Sequence, residues 1–290
     1  MRKKKVHNDD KMTLEVSKKT GVVLTIIMSA LSLLFLYPIA LVLMNSFKNK
    51  LHISDAPFQL PNSETFVNLK NYVDGIEKTG LIQAAGRTTF ITVCSVVAIV
   101  FFTSMTAWWI IRVKNKFTTA IYYVFVFSMI VPFQTVMYTL SKITDTLNLG
   151  NMYGIVIVYL GFGAGLSVFL FSGFVKSIPL SLEEAAMIDG CNPIQIFFKV
   201  VFPILKPTAI TVAVLNAMWI WNDYLLPTLV LDSEKPTIPM AVQYLKGGYG
   251  SIDMGAMMAM LVLAIVPIII FYLSCQKYII KGVAAGAVKG

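Results

Sequence analysis

Two stretches of this chain set chemically capable side chains among residues that are otherwise almost all apolar. The first is Glu183-Glu184-Ala185-Ala186-Met187-Ile188-Asp189-Gly190, which lies between two long apolar runs and closes at Pro203. Carboxylates beside alanines suit docking rather than bond-making. Small residues allow close approach to a groove, and carboxylates at its rim meet basic or amide groups. The plain alternative is an amphipathic helix resting on a membrane surface. The second stretch is Trp219-Ile220-Trp221-Asn222-Asp223-Tyr224, which holds Asp223 inside an apolar run. An ionisable side chain at membrane depth is costly and marks a functional position by default. Aromatic faces stack on the C–H faces of a sugar while amide, hydroxyl and carboxylate groups bond its hydroxyls. Trp219, Asn222, Asp223 and Tyr224 therefore suit a sugar path; the alternative is an interfacial anchor of Trp and Tyr. Gln134 and Tyr138, a helical turn apart just beyond Pro132, form a weaker pair that also reads as a packing kink.

Signatures of bond-making chemistry do not occur in the sequence. It has no G-x-x-x-x-G-K-[ST], so this chain is not expected to hydrolyse ATP, and it has neither a nucleophile elbow nor an H-E-x-x-H helix. His7 and His52 are isolated, and Cys94, Cys191 and Cys275 suggest neither a disulfide framework nor a thiolate metal site. No metal site is expected. Gly161, Gly163 and Gly165 read as close helix packing, and Met254, Met257, Met258 and Met260 as adaptable packing.

The elements that carry these residues follow from composition. Of 290 residues, 57% are hydrophobic and 13% charged, against about 25% charged in a soluble domain. The chain is therefore an all-α polytopic membrane protein. Six segments have the roughly 20 apolar residues a spanning helix needs: 21–46, 88–111, 117–140, 150–174, 208–231 and 255–276. The fifth contains Asp223, Pro132 kinks the third, and Arg87 snorkels outward from the start of the second. The first run follows Met1-Arg2-Lys3-Lys4-Lys5 without a small-residue cleavage site, so it reads as a retained anchor. Despite a formal charge of +9, the basic residues cluster at span ends rather than on a soluble face, which excludes nucleic acid. With the N-terminus inside, sixteen Lys and Arg fall on the cytoplasmic side and seven outside. This bias puts both termini and the Glu183–Gly190 segment in the cytoplasm.

Local signals give the docking segment its shape. Ser181 with Glu184 three residues on predicts a capping box, and both glutamates suit a helix N-terminus. Gly190 predicts a left-handed stop. Asn192-Pro193 opens a second short helix carrying Ile194, Ile196, Phe197 and Val200, and Pro203 with Pro207 breaks the chain before the next span.

The same segment resembles the EAA loop of ABC importer permeases, E-A-A, three residues, Gly, nine residues, then I-x-L-P. Here Glu184-Ala185-Ala186 leads to Gly190, and nine residues on stands Val200-Val201-Phe202-Pro203, with Val200 and Phe202 replacing the Ile and Leu by other apolar residues. Together with the ending Gln276-Lys277-Tyr278-Ile279-Ile280-Lys281-Gly282 through Ala285-Gly286-Ala287-Val288-Lys289-Gly290, the chain resembles maltose-type (MalG-like) sugar permeases of binding-protein-dependent type I importers. The resemblance implies six transmembrane helices, a MetI-like core of five plus an N-terminal helix. It divides the chain into a cytoplasmic tail 1–20, a first span 21–46, an extracellular loop 47–80, a core 81–277 with its EAA coupling loop at 177–207, and a cytoplasmic tail 278–290. It assigns ATPase coupling to Glu183, Glu184, Ala185, Ala186, Asp189, Gly190 and Pro203. It puts Gly286, Ala287, Val288 and Lys289 at the ATPase interface, although so glycine-rich a tail would otherwise read as a disordered end. The implied partners are a homologous second permease, two copies of a cytoplasmic ABC ATPase that hold ATP and Mg, an extracellular sugar-binding protein, its oligosaccharide cargo and the lipid of a bacterial cell membrane. The rival readings are an ABC permease for a non-sugar solute and an ion-coupled transporter that uses Asp223.

Overall fold

The computed structural model describes residues 17–245 and 252–287. In chain order its helices are α1 (Lys18–Asn45), α2 (Lys50–Asp55), α3 (Lys70–Thr79), α4 (Leu81–Arg112), α5 (Lys116–Ser128), α6 (Phe133–Thr146), α7 (Gly154–Val175), α8 (Leu180–Ile188), α9 (Pro193–Ile196), α10 (Phe202–Asn222), α11 (Leu225–Val230), α12 (Ile238–Tyr244) and α13 (Met254–Ala287). Among the described residues the only β pairing is an isolated antiparallel bridge, Lys48 to Phe66. Five helical runs are long and apolar enough to cross a membrane: α1, α4, α7, the stretch Pro193–Asn222, and α13.

The sixth crossing is a broken one. The helices α5 and α6 meet at 107°. Pro132 stands at the N-cap of α6 with an extended ψ of 135°, so the segment 117–140 is two helices rather than the single kinked span its sequence suggests. A proline has no amide to bond back and keeps its predecessor out of the helical region, which parts the two pieces. Yet the pair must still traverse. The Arg112 Nη2 donates to the Ile178 carbonyl at 3.0 Å, so α4 and α7 end on the same face and run parallel. Only α5 and α6 can carry the chain back between them. Ser46 at the end of α1 bonds Tyr72 of α3, and Lys78 pairs with Asp253 just before α13. Counting crossings from these ties, α1 starts and α13 ends on the face that carries α8.

The pair α4 and α7 forms the centre, with α10 against both. Ile91, Ile99, Val168, Phe171 and Val212 bury fully in their seam. Close approach comes from glycines: a Cβ on Gly163 would stand 2.6 Å from Ile99 Cδ1, and one on Gly165 would stand 2.8 Å from the Phe125 carbonyl. Small residues let backbones approach where no hydrophobic force separates helix from lipid. The expectation for these two therefore holds, whereas Gly161 faces open space. By contrast α1 is exposed along almost its whole length.

Residues 46–80 fold into a small cap on the opposite face. The Asn71 amide donates to the carbonyls of Ser46 and Lys48 at 2.8 Å each. Lys48 is buried and donates to the Ala56 carbonyl at 3.0 Å, and burial lowers its pKa.

Three further expectations change. The fifth run ends at Asn222 rather than at 231, because Asp223 takes an extended ψ of 126°. Pro203 and Pro207 do not break the chain: α9, a π-helical turn Phe197–Val201 and α10 form one continuous run, with Pro203 in the first turn of α10. Proline costs no bond in a first turn, and the π turn shifts the bonding register just ahead of it. Last, the backbone of α13 stays helical through Gly286 and Ala287, where glycine content alone suggests a tail unable to hold a helix. Extending a helix that is already formed adds a bond per residue without a new nucleus, which offsets the glycines. Val288 and Lys289 lie outside the described residues.

Candidate functional site

The α8 segment is built by its ends. Its N-cap is Pro179, with no side-chain cap, so Ser181 falls inside the first turn and the expected Ser181–Glu184 capping box does not form. The capping box lies one helix later, where the Asn192 side chain accepts from the Gln195 amide and the Gln195 side chain accepts from the Asn192 amide, each at 2.9 Å. Gly190 has φ +82° and closes α8 as expected. Its amide reaches the Met187 carbonyl and that of Cys191 the Ala186 carbonyl, at 3.0 Å each, the paired bonds of a glycine C-terminus.

One face of α8 is fastened inward. Glu183, expected at an outward rim, is only 3% exposed. Its Oε1 accepts from Arg112 Nε at 2.8 Å and lies 2.6 Å from Arg112 Nη2, while its Oε2 accepts from Trp108 Nε1 at 3.0 Å. Trp108 and Arg112 are four apart at the end of α4 and so share a face. The Trp108 ring also lies 5.5 Å from that of Phe197 in the π turn. A buried carboxylate is stable only when paired and fully bonded, and this one takes every donor from α4. Ala186 buries beside it.

The other face is bare. Glu184, Ala185, Met187, Ile188 and Asp189 are exposed, Ile188 at 87%. Leu182 and Ile194 extend the apolar patch. Apolar side chains rimmed by two carboxylates thus stand uncovered on this face. Pro203 is set apart from this face, at the start of α10.

The second group forms a corner where α10 ends. Asp223 Oδ1 accepts from the amides of Leu225 at 3.0 Å and Leu226 at 3.4 Å, and the Tyr159 hydroxyl donates to Oδ2 at 3.2 Å. Both oxygens are thus used to turn the chain into α11 and to tie it to α7. Trp219 lies edge-on to Tyr159 with ring centroids 5.4 Å apart. Trp219 and Asn222 are exposed while Tyr224 is half-buried, and Asn222 donates back to the Met218 carbonyl at 2.7 Å. Gln134 and Tyr138 share one face of α6, both exposed, Tyr138 at 95%. Arg87, read as snorkelling, donates to the Pro236 carbonyl at 2.9 Å, in the segment between α11 and α12. No cluster of three or more metal-ligating side chains occurs among the described residues.

Sequence reasoning did not single out Arg112, Trp108 or Tyr159. A partial signal for the first two existed: Glu183 and Ala186 are three apart and share one helix face, and a carboxylate turned inward with that face needs a cation. Which cation among Arg112, Lys114, Lys116 and Lys176 required the fold.

A family model described as "Binding-protein-dependent transport system inner membrane component" matches residues 99–285, from mid-α4 through most of α13. The chain is 42% identical over 267 residues, 92% of its own length and 96% of the relative's, to the probable starch degradation products transport system permease protein AmyC of Thermoanaerobacterium thermosulfurigenes. It is 36% identical over 262 residues, covering 89% of itself and 93% of the relative, to the multiple sugar-binding transport system permease protein MsmG of Streptococcus mutans. Among solved structures it matches, with a TM-score of 0.74 and 25% identity over 89% of this chain and 95% of the other, a chain of a bacterial ABC transporter involved in the import of the acidic polysaccharide alginate.

Proposed function

The chain belongs to the binding-protein-dependent transport system inner membrane components, and from that membership we propose that it is one half of the membrane path of an oligosaccharide importer. It is a non-catalytic subunit. Relatives whose names specify starch degradation products and multiple sugars support carbohydrate as the cargo class. A homologous second permease completes the path, and an extracellular binding protein delivers the sugar. Two ATPase subunits beneath hold the ATP and Mg, and this chain binds no cofactor itself. The excess of Lys and Arg on the α8 side supports a cytoplasmic position for that face and for both termini.

The observation that carries the reading is the division of α8 into a fastened face and a bare one. Glu184, Ala185, Met187 and Ile188 dock into the ATPase, while Glu183, Arg112 and Trp108 pass its movement to α4. Closure of the ATPase dimer on ATP then swings the spans from an inward-open to an outward-open arrangement. The path runs past Trp219, Asn222, Asp223 and Tyr224, with Gln134 and Tyr138 on the broken span beside it. Gly286, Ala287, Val288 and Lys289 meet the ATPase interface, toward which the backbone of α13 runs as far as Ala287.

Glu184→Lys, introduced into the assembled importer, tests this. The variant should insert and assemble normally, yet binding protein loaded with sugar should no longer stimulate ATP hydrolysis, and uptake should fall to background. Wild-type uptake by that variant would refute the docking role.

A further inference from the structure

We propose that the cleft at the base of α4, α5 and α7 binds the phosphate of an anionic glycerophospholipid. The cleft measures about 970 Å³, at the upper end of the few hundred to about 1,000 Å³ typical of small-molecule sites. Arg112, Lys114, Lys116 and Lys176 line it, and no Asp or Glu does. Glu183 neutralises Arg112. Lys114, Lys116 and Lys176 have no ion pair among the described residues, and the Lys176 ammonium lies 5.8 Å over the Tyr122 ring. Three uncompensated cations therefore surround one cavity. Lys116 also opens α5, a helix of 13 residues whose first turn holds no acid, so its amide end adds to the same positive field.

Depth and shape favour a lipid over a soluble anion. Arg112 ends α4 and Lys176 follows α7 directly, which sets the charges at the boundary of the spans, where headgroups lie. Above them the wall turns apolar through Ile111, Ala120 and Tyr123. The exposed Phe117, Val124 and Phe127 carry that surface along α5 into the span. A cleft that is basic at the base and apolar above matches a phosphate with acyl chains attached. Basic pockets between membrane helices recognise headgroups in this way.

The test is native mass spectrometry of the complete importer in mild detergent, followed by titration of phosphatidylglycerol into phosphatidylcholine nanodiscs. The wild type should retain phosphatidylglycerol or cardiolipin. The triple variant Lys114→Gln, Lys116→Gln, Lys176→Gln should bind it about a hundredfold more weakly, from three basic groups at a membrane surface. Thr119→Asp, which places a carboxylate in the cleft without removing a lysine, should weaken it in the same direction. A control triple on the opposite face, Lys70→Gln, Lys142→Gln, Lys235→Gln, should bind as the wild type does. Equal lipid retention by the wild type and the cleft triple variant would overturn the proposal. So would displacement of the lipid by inorganic phosphate at comparable concentration, which would make free phosphate the ligand. A cross-link from Asn115→Cys to the ATPase subunit, showing the cleft covered by protein, would overturn it as well.

Discussion

Replacing Arg112 with alanine should free α8 from the end of α4 and destabilise the protein by about 3 kcal/mol. The guanidinium holds Glu183 through Nε at 2.8 Å and Nη2 at 2.6 Å, and the Ile178 carbonyl through Nη2 at 3.0 Å. Without it the Glu183 carboxylate keeps one donor, the Trp108 indole at 3.0 Å. Removing one partner of a buried pair costs about 3–5 kcal/mol because the other charge is left uncompensated. The Glu183 side chain is 4% exposed and that of Arg112 19%, so some water reaches the gap and the lower end of the range applies. That is about a 150-fold change in the folded-to-unfolded ratio. The assay is denaturant unfolding of the reconstituted importer, run as a double-mutant cycle with Arg112→Met, Glu183→Leu and the pair together. Each single change should cost about 3 kcal/mol, whereas the apolar pair should be close to neutral, since a buried ion pair can be replaced by packed apolar groups at little cost. Single variants within about 0.5 kcal/mol of the wild type, with additive effects, would show that the pair is an ordinary surface contact and refute the argument.

Other outcomes follow from the same geometry. Gly165→Leu should force α5 from α7, because even its Cβ would stand 2.8 Å from the Phe125 carbonyl; a loss of about 1–3 kcal/mol in the same unfolding assay is expected. Gly190→Val should strain the φ of +82°, costing about 1–2 kcal/mol and lowering sugar-stimulated ATPase activity more than membrane insertion. The tie between Lys78 and Asp253 should depend on pH. Burial pushes the Asp253 carboxyl up, but the Lys78 hydrogen bond and the Ala256 amide pull it on balance below its ordinary 3.8. The Asp253 hydrogen bond raises Lys78 above its ordinary 10.5. A lowered acid contributes stability above its unfolded value and loses it as pH falls through the folded one; a raised base contributes below its unfolded value and loses it as pH rises. Hydrogen exchange at the first turn of α13, corrected for intrinsic rates, should therefore be slowest between about pH 4 and pH 10 and faster on either side.

Much of this was legible from residues alone, and the rest fails for identifiable reasons. Apolar runs fixed the number of crossings, because a backbone in lipid must satisfy itself within a helix. The spacing from Glu184 to Gly190 predicted where α8 stops, since a left-handed turn selects glycine locally. What stayed hidden was tertiary. Ser181 carries a good capping signal, yet Pro179 starts the helix earlier and leaves Ser181 within it. Asp223 reads as a charge inside a span until the α10 helix is seen to end one residue before it, with Leu225 and Leu226 donating to it. Arg112 looks like one more positive charge at a span end, and nothing local distinguishes it from Lys114. The pairing with Glu183 spans 71 residues of chain, and no periodicity reports it.

The unbroken run from Pro193 to Asn222 has a mechanical meaning. Thirty residues at about 1.5 Å each make a rod of about 45 Å. Its foot is wedged against Trp108 through Phe197 and its far end carries the Asp223 corner. A rod amplifies angle into distance: a tilt of about 5° at the foot displaces the far end by about 4 Å for that length, comparable to the width of a sugar hydroxyl and its water. A broken chain at Pro203 would have absorbed such a tilt in its hinge. In the coupling proposed above, a tilt taken up at the foot of this run, with no hinge at Pro203, reaches the Asp223 corner as a displacement on the opposite face.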